Sequence, residues 1–147
     1  MIALLKIFKL PTRRVFKKRA EVYIVKDRKM WVGKDQNGMY NIPGGHLHKD
    51  ESPKEAAERE CLEEIGVKPY NMRLLKETQQ SNATRNIVNY SYIADFGGFD
   101  SSLYGSLKDS FVPKLVKIED VLENLKKHAR NRYWFQDTID CLEMLQK

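Results

Sequence analysis

The chain is predicted to fold as a single layered α/β domain, and three observations carry that expectation. Strand-like and helix-like segments are interleaved along the sequence rather than sorted into blocks. One segment, Ser52–Ile65, carries helix start and stop signals at both ends. The length, 147 residues, is enough to bury one sizeable core and too short for two.

Taken in order, "AEVYIVK" (Ala20–Lys26) is β-rich, and the polar turn "DRK" leads into "MWVGK" (Met30–Lys34), its expected hairpin partner. "DQNG" is a second turn, followed by a short strand through Tyr40 and Ile42 and then the Gly44-Gly45 pair. Beyond the helix at Ser52–Ile65, "MRLLKETQQ" and "NIVNYSYIADF" have strand character, with "SNATR" as the turn between them. The stretch Gly97–Ser110 has no period and many turn residues, which predicts a loop. "PKLVKI" reads as a short strand and "EDVLENLKKH" as a short helix. In the tail, Phe135, Ile139, Leu142 and Leu145 fall at helical spacing, so this segment should pack on the sheet. Tyr133 and Trp134 are expected to join the core rather than to stack a base.

Composition narrows the class. With 41% hydrophobic and 31% charged residues, the chain reads as a soluble globular protein. The apolar opening "MIALLKIFKL" is broken by Lys6 and Lys9, is too short to span a bilayer and lacks the pattern of a secretory signal. A cytoplasmic protein without a membrane partner is expected. Cys61 and Cys141 make neither a disulfide framework nor a zinc site. "NAT" at Asn82 matches a glycosylation acceptor but is expected to be a turn. Charge is unevenly placed: residues 1–19 carry +7 with no acid, and the remainder carries −1. That segment is either a solubilising arm or a local field that attracts polyphosphate or nucleic acid.

The unusual region is "GGHLHKDESPKEAAERECLEEIGV", Gly44–Val67, which holds seven acids between Asp50 and Glu64. Ser52 can cap the helix, Pro53 suits its first position, Glu55 completes a capping box and Gly66 can terminate it in a left-handed conformation. At about 100° per residue, Glu60, Glu63 and Glu64 share a face, and Cys61, Leu62 and Ile65 lie on roughly the other side. Repulsion at i,i+4 costs only about 0.2–0.5 kcal/mol per exposed pair, so a solvated acidic face would be tolerable. Convergent carboxylates without matching lysines would also suit a hard divalent cation. The helix alone does not choose between the two.

The wider spacing does. From Gly45 the chain runs G-x5-E-x7-R-E-U-x-E-E-x-G-U through Glu51, Arg59, Glu60, Cys61, Glu63, Glu64, Gly66 and Val67. This resembles the 23-residue Nudix box of the Nudix hydrolases, with every fixed Gly, Glu and Arg in place. Cys61 stands where a bulky aliphatic is usual, a change expected to affect packing only. "YNIPGG" before the box resembles the strand and turn that lead into it, and "IEDVLENL" and the tail helix loosely resemble the C-terminal elements.

The resemblance implies a Nudix-type α/β/α sandwich with a mixed β-sheet, forming one domain over residues 1–147 with a basic segment at 1–19. It implies hydrolysis of a diphosphate linkage in a nucleoside diphosphate derivative or a nucleoside triphosphate, with Mg²⁺ or Mn²⁺ as cofactor. An RNA 5′-end pyrophosphohydrolase and a non-catalytic nucleotide sensor are the alternatives, and a homodimer is common in the family. Carried over residue by residue, Glu60 and Glu64 are metal ligands, Glu63 is a ligand or the general base, and the carbonyl of Gly44 is a further ligand. Arg59 orients the carboxylates and is grouped with Glu63 and Glu64 in the catalytic set. Glu51 either braces the loop or touches metal. Members of the family recruit an acid from a later loop, which makes Asp100 and Asp109 candidates. His46 and His48 could meet phosphate; Trp31 and Tyr40 could stack a base, although core packing is the stronger expectation for both. Residues 71–88 hold neither proline nor tyrosine, which weakens ADP-ribose and dinucleoside polyphosphates as substrates.

Overall fold

The computed structural model describes residues 16–81, 83–105 and 110–147. Lys6, Lys9, Arg13 and Arg14 of the basic segment, Asn82 and Asp109 lie outside the described residues. Seven strands and three helices are described: β1 Lys17–Lys26, β2 Lys29–Lys34, β3 Tyr40–Asn41, β4 Gly44–His46, α1 Pro53–Ile65, β5 Val67–Ser81, β6 Asn86–Phe99, β7 Val112–Lys117, α2 Ile118–His128 and α3 Phe135–Gln146. Among them, no helix is long and apolar enough to cross a membrane.

β1 organises the sheet. It pairs parallel with β6 on one side, and on the other with β2 through its C-terminal half and with β4 through its N-terminal half. β5 extends the sheet beyond β6, β3 and β7 both pair with β2, and every pairing except β1–β6 is antiparallel. The sheet is therefore mixed, with helices on both faces. A strand in this position is covered on both sides, which explains why "AEVYI" is a continuous run with little alternation. Ala20, Val22 and Ile24 pack with Ala56, Ala57, Cys61 and Ile65 of α1, while Tyr23 packs with Met30 and Val32 against Val121, Leu125, Ile139 and Leu142 of α2 and α3.

Helix α1 begins and ends where its sequence signals place it. Ser52 Oγ accepts from Glu55 N at 3.1 Å, Pro53 opens the helix, and Gly66 at φ 63° reverses the chain into β5. The loop after β6 is strapped over this end of the helix: Asp100 N donates to Gly66 O, Phe111 N to Glu64 O, and Tyr104 OH to Phe111 O.

The long β5–β6 hairpin departs from the sequence reading. β5 starts at Val67 rather than Met72, and β6 continues through Gly97 and Gly98 to Phe99, three residues assigned to the loop. Their ladder runs from Ser81↔Asn86 to Val67↔Phe99 with three register shifts. Backbone pairing and bulges carry this hairpin, so the side-chain period is too irregular to reveal its length.

Candidate functional site

Where β4, α1 and α3 meet, a cleft of about 450 Å³ opens. Its lining includes Gly44, Gly45, His46 and His48, then Glu60, Glu63 and Glu64 of α1, and Arg19 and Glu21 of β1. Asn41, Ile42, Phe111, Trp134 and Thr138 complete it.

The acidic face of α1 is not a solvated face. Glu64 is only 8% exposed, and the side chains of Glu60 and Glu63 are 15% and 13% exposed. The glycines before the helix make that packing feasible. A Cβ on Gly45 would run into the Glu60 carboxylate, and one on Gly44 would lie 2.7 Å from Glu21 Cβ. Gly44 N donates to Glu64 Oε1 at 3.0 Å. These two positions bring the backbone against carboxylates, a close approach that a side chain would block.

Arg59 gathers the remaining acids. Its Nε and Nη2 donate to the two oxygens of Glu51, at 2.8 and 3.1 Å, in a forked pair. Nη1 donates to Glu60 Oε1 at 3.0 Å and Glu63 Oε2 at 3.1 Å, and Nη2 also reaches His46 O. All five guanidinium N–H groups are thus committed, leaving none for a substrate. Arg59 is held above its ordinary pKa, chiefly by its hydrogen bond with Glu51. Glu51 also accepts from His48 N, so its carboxylate ties the loop before α1 to the helix.

Glu64 experiences the opposite environment. Burial, and then the neighbouring Glu60 carboxyl, push its pKa up to about 9, against the Gly44 amide and Arg19, which favour the anion. Two carboxyls close together with too little positive charge form an oxygen donor set that fits a hard divalent cation. Among the described residues, no three acidic, His or Cys side chains already converge as ligands on one point. Arg59 draws Glu60 and Glu63 towards itself while Glu64 accepts from Gly44 N, so a cation held by these carboxylates would need the side chains to turn.

Cation uptake should therefore release a proton. The folded pKa of Glu64 lies above the value of 4.5 for a free carboxyl, so without metal the stability it contributes is full below pH 4.5 and lost as pH rises towards 9. Calorimetric Mg²⁺ titration at pH 7.5, in two buffers of different ionisation enthalpy, should give apparent enthalpies that differ by up to about one released proton. Equal enthalpies in the two buffers would refute this coupling, and Glu64→Gln should remove the difference.

Other sequence candidates are placed elsewhere. Asp100 does not line the cleft: it is exposed near Gly66, where its Oδ1 accepts from Ser102 N. Trp31 packs with Phe96 and Phe99 in an aromatic cluster outside the cleft, and Tyr40 packs against the α2–α3 core. Trp134 both contacts that core and lines the cleft, a position that its sequence context did not reveal. Arg19 and Glu21 were missed as well. Their spacing, i and i+2 on a strand, was the available signal, because it puts opposite charges on one face.

Comparison with known proteins agrees with the fold. The family model described as NUDIX domain matches residues 12–137. Among solved structures, the chain resembles a NUDIX hydrolase from Nitrosomonas europaea, with TM-score 0.69 and 19% identity over 90% of this chain and 92% of that one. It resembles the E. coli ORF135 protein, with TM-score 0.64 and 19% identity over 89% of each chain. An ADP compounds hydrolase aligns with TM-score 0.67 and 16% identity, over 91% of this chain and 73% of that one.

Proposed function

The chain belongs to the NUDIX family, and from that premise we propose that it is a Mg²⁺- or Mn²⁺-dependent pyrophosphohydrolase acting on a nucleoside diphosphate derivative or a nucleoside triphosphate. The observation that carries this reading is the largely covered carboxylate face of α1, with Glu64 buried, Glu60 and Glu63 half-buried, and all three lining one cleft. The likeness to an ADP compounds hydrolase supports a nucleotide substrate.

In this reading Glu60 and Glu64 would hold the cation, together with the carbonyl of Gly44. Such a cation, when bound, supplies neutralisation of phosphate charge and a more acidic water. Glu63 is the base that takes the proton of the attacking water, once it swings away from Arg59 Nη1. Arg59 touches no reacting atom; it holds Glu51, Glu60 and Glu63 in register. The diphosphate bond breaks to give two phosphorylated products, or a nucleotide and pyrophosphate.

A hydrolysis panel tests the proposal: nucleoside triphosphates, ADP-ribose, nucleotide sugars, dinucleoside polyphosphates and 5′-triphosphate RNA, with products resolved by phosphorus NMR. Metal-dependent cleavage of at least one compound is expected. Folded protein silent with both Mg²⁺ and Mn²⁺ would point to a nucleotide sensor instead. RNA is retained in the panel because β1 begins with Lys17 and Lys18 and carries Arg19 into the cleft, placing the end of the basic segment near the site. An RNA substrate would bind with affinity that falls steeply with salt.

A further inference from the structure

Beside the α1 carboxylates, the cleft wall at Arg19 and Glu21 is backed by a polar network whose Glu21, Asn89, Ser91 and Asp137 are buried. Strand register assembles it. Arg19 and Asn89 are direct partners across β1 and β6, as are Glu21 and Ser91. Glu21 Oε1 accepts from Ser91 Oγ at 2.8 Å, Tyr23 OH at 3.0 Å and Asn89 Nδ2 at 3.2 Å. Asn89 Nδ2 also donates to Asp137 Oδ2 at 3.0 Å, which takes the Thr78 hydroxyl at 2.8 Å. Lys76 Nζ lies 3.4 Å from Asp137 Oδ1. Four elements (β1, β5, β6 and α3) therefore meet in one network. Replacing buried ion pairs by apolar residues is commonly neutral or stabilising, so their presence at a cleft invites a functional reading.

The network ends on Arg19. Only its Nη1 is engaged, by Asn89 Oδ1 at 3.0 Å and Glu21 Oε2 at 3.3 Å. Nε and Nη2 have no partner among the described residues, although the side chain is 13% exposed. Arg19 itself lines the cleft, and the one buried side-chain polar atom lacking a hydrogen bond among those residues is Asp137 Oδ1, not a nitrogen of Arg19. Arg59, by contrast, has no N–H to spare. The Nε–Nη2 edge of an arginine offers two parallel donors matched to a phosphate.

Position supplies the rest. Gly44 N bonds Glu64 on one side, and Gly44 is pressed against Glu21 on the other. A single glycine thus separates a proposed metal carboxylate from the Glu21–Arg19 pair.

We propose that Arg19 anchors the second phosphate of the substrate's diphosphate through its Nε–Nη2 edge, with Glu21 and Asn89 as positioning residues that fix the guanidinium. The proposal rests on the diphosphate-hydrolase reading above. Pinning Nη1 removes the rotamer freedom that a loose arginine would lose on binding. Trp134 and Thr138 line the same cleft and are left for the remainder of the substrate.

The test is calorimetric binding of inorganic pyrophosphate in Mg²⁺ to wild type, Arg19→Gln, Arg19→Lys, Lys18→Gln and Glu64→Gln, with thermal unfolding as the folding control. Arg19→Gln, whose amide can still meet Glu21, should weaken binding about tenfold or more, Arg19→Lys less, and the exposed Lys18→Gln by about twofold at most. During turnover, Asn89→Ala and Arg19→Gln should raise KM with kcat retained within about threefold, a split that general misfolding would not give. If Arg19→Gln binds like wild type while Glu64→Gln does not, the anchor is wrong and the metal reading stands. If Glu64→Gln binds normally while Arg19→Gln fails, the anchor stands without the metal. Equal losses in Arg19→Gln and Lys18→Gln would reduce Arg19 to a diffuse charge and overturn the proposal, as would wild type that fails to bind.

Discussion

Glu64→Gln is expected to lower kcat of metal-dependent hydrolysis by on the order of a thousandfold while leaving the fold intact. The two halves of this expectation have one cause. Without metal, burial and the neighbouring Glu60 raise the pKa of Glu64 and so favour its neutral form. A glutamine amide reproduces that neutral shape, accepts from Gly44 N through its oxygen and can donate to Glu60 through its nitrogen. In a chelating buffer the variant should therefore be at least as stable as wild type at neutral pH, and should lose less stability as pH rises towards 9. What the amide cannot supply is the negative charge that a divalent cation requires. Kinetics and urea unfolding in parallel check both halves. Near-normal kcat would remove Glu64 from its role, and wholesale unfolding would show that the carboxylate is structural.

Arg59→Lys should fail differently. The substitution keeps the charge but replaces five planar donors by three on a point charge. Lysine cannot serve Glu51, Glu60, Glu63 and the His46 carbonyl together, so carboxylates 12–15% exposed lose partners. A loss of about 2–3 kcal/mol in metal-free stability follows. Activity should fall about tenfold or more, because Glu60 and Glu63 are no longer held in register. Mg²⁺ should raise Tm more for this variant than for wild type, since a cation restores compensation that the arginine had supplied. Identical Tm increments with Mg²⁺ would contradict the view that arginine and cation serve the same carboxylates.

These expectations show which parts of the molecule were readable in the chain. Helix α1 was legible to its caps because its signals are local: Ser52, Pro53 and Gly66 act within a turn of themselves. The strands β1 and β2 and the helical tail follow from similar short-range rules, whereas the box residues are legible only through the resemblance to the Nudix box. The remainder depends on distant neighbours. Counting charge puts Arg19 in a basic arm, whereas β1–β6 register sets it half-buried against Asn89, 70 positions along the chain. Trp134 looked like core and is also cleft lining, because only the packing of α3 decides which of its edges meets solvent. Asp100 looked like a loop acid available to the site, but its backbone is tied to Gly66 and its carboxylate to Ser102. The acidic face itself is ambiguous as a pattern; its low exposure in the fold is what sets it apart from a solvated surface.

The most direct measurement is Mn²⁺ binding followed by electron paramagnetic resonance, comparing wild type with the Glu60→Gln/Glu64→Gln double variant. Wild type should deplete the free Mn²⁺ signal in a saturable titration, and the double variant, still folded, should leave that signal close to buffer alone. Equal depletion by the two proteins would contradict the account, because the acidic face of α1 would then not be where the cation binds.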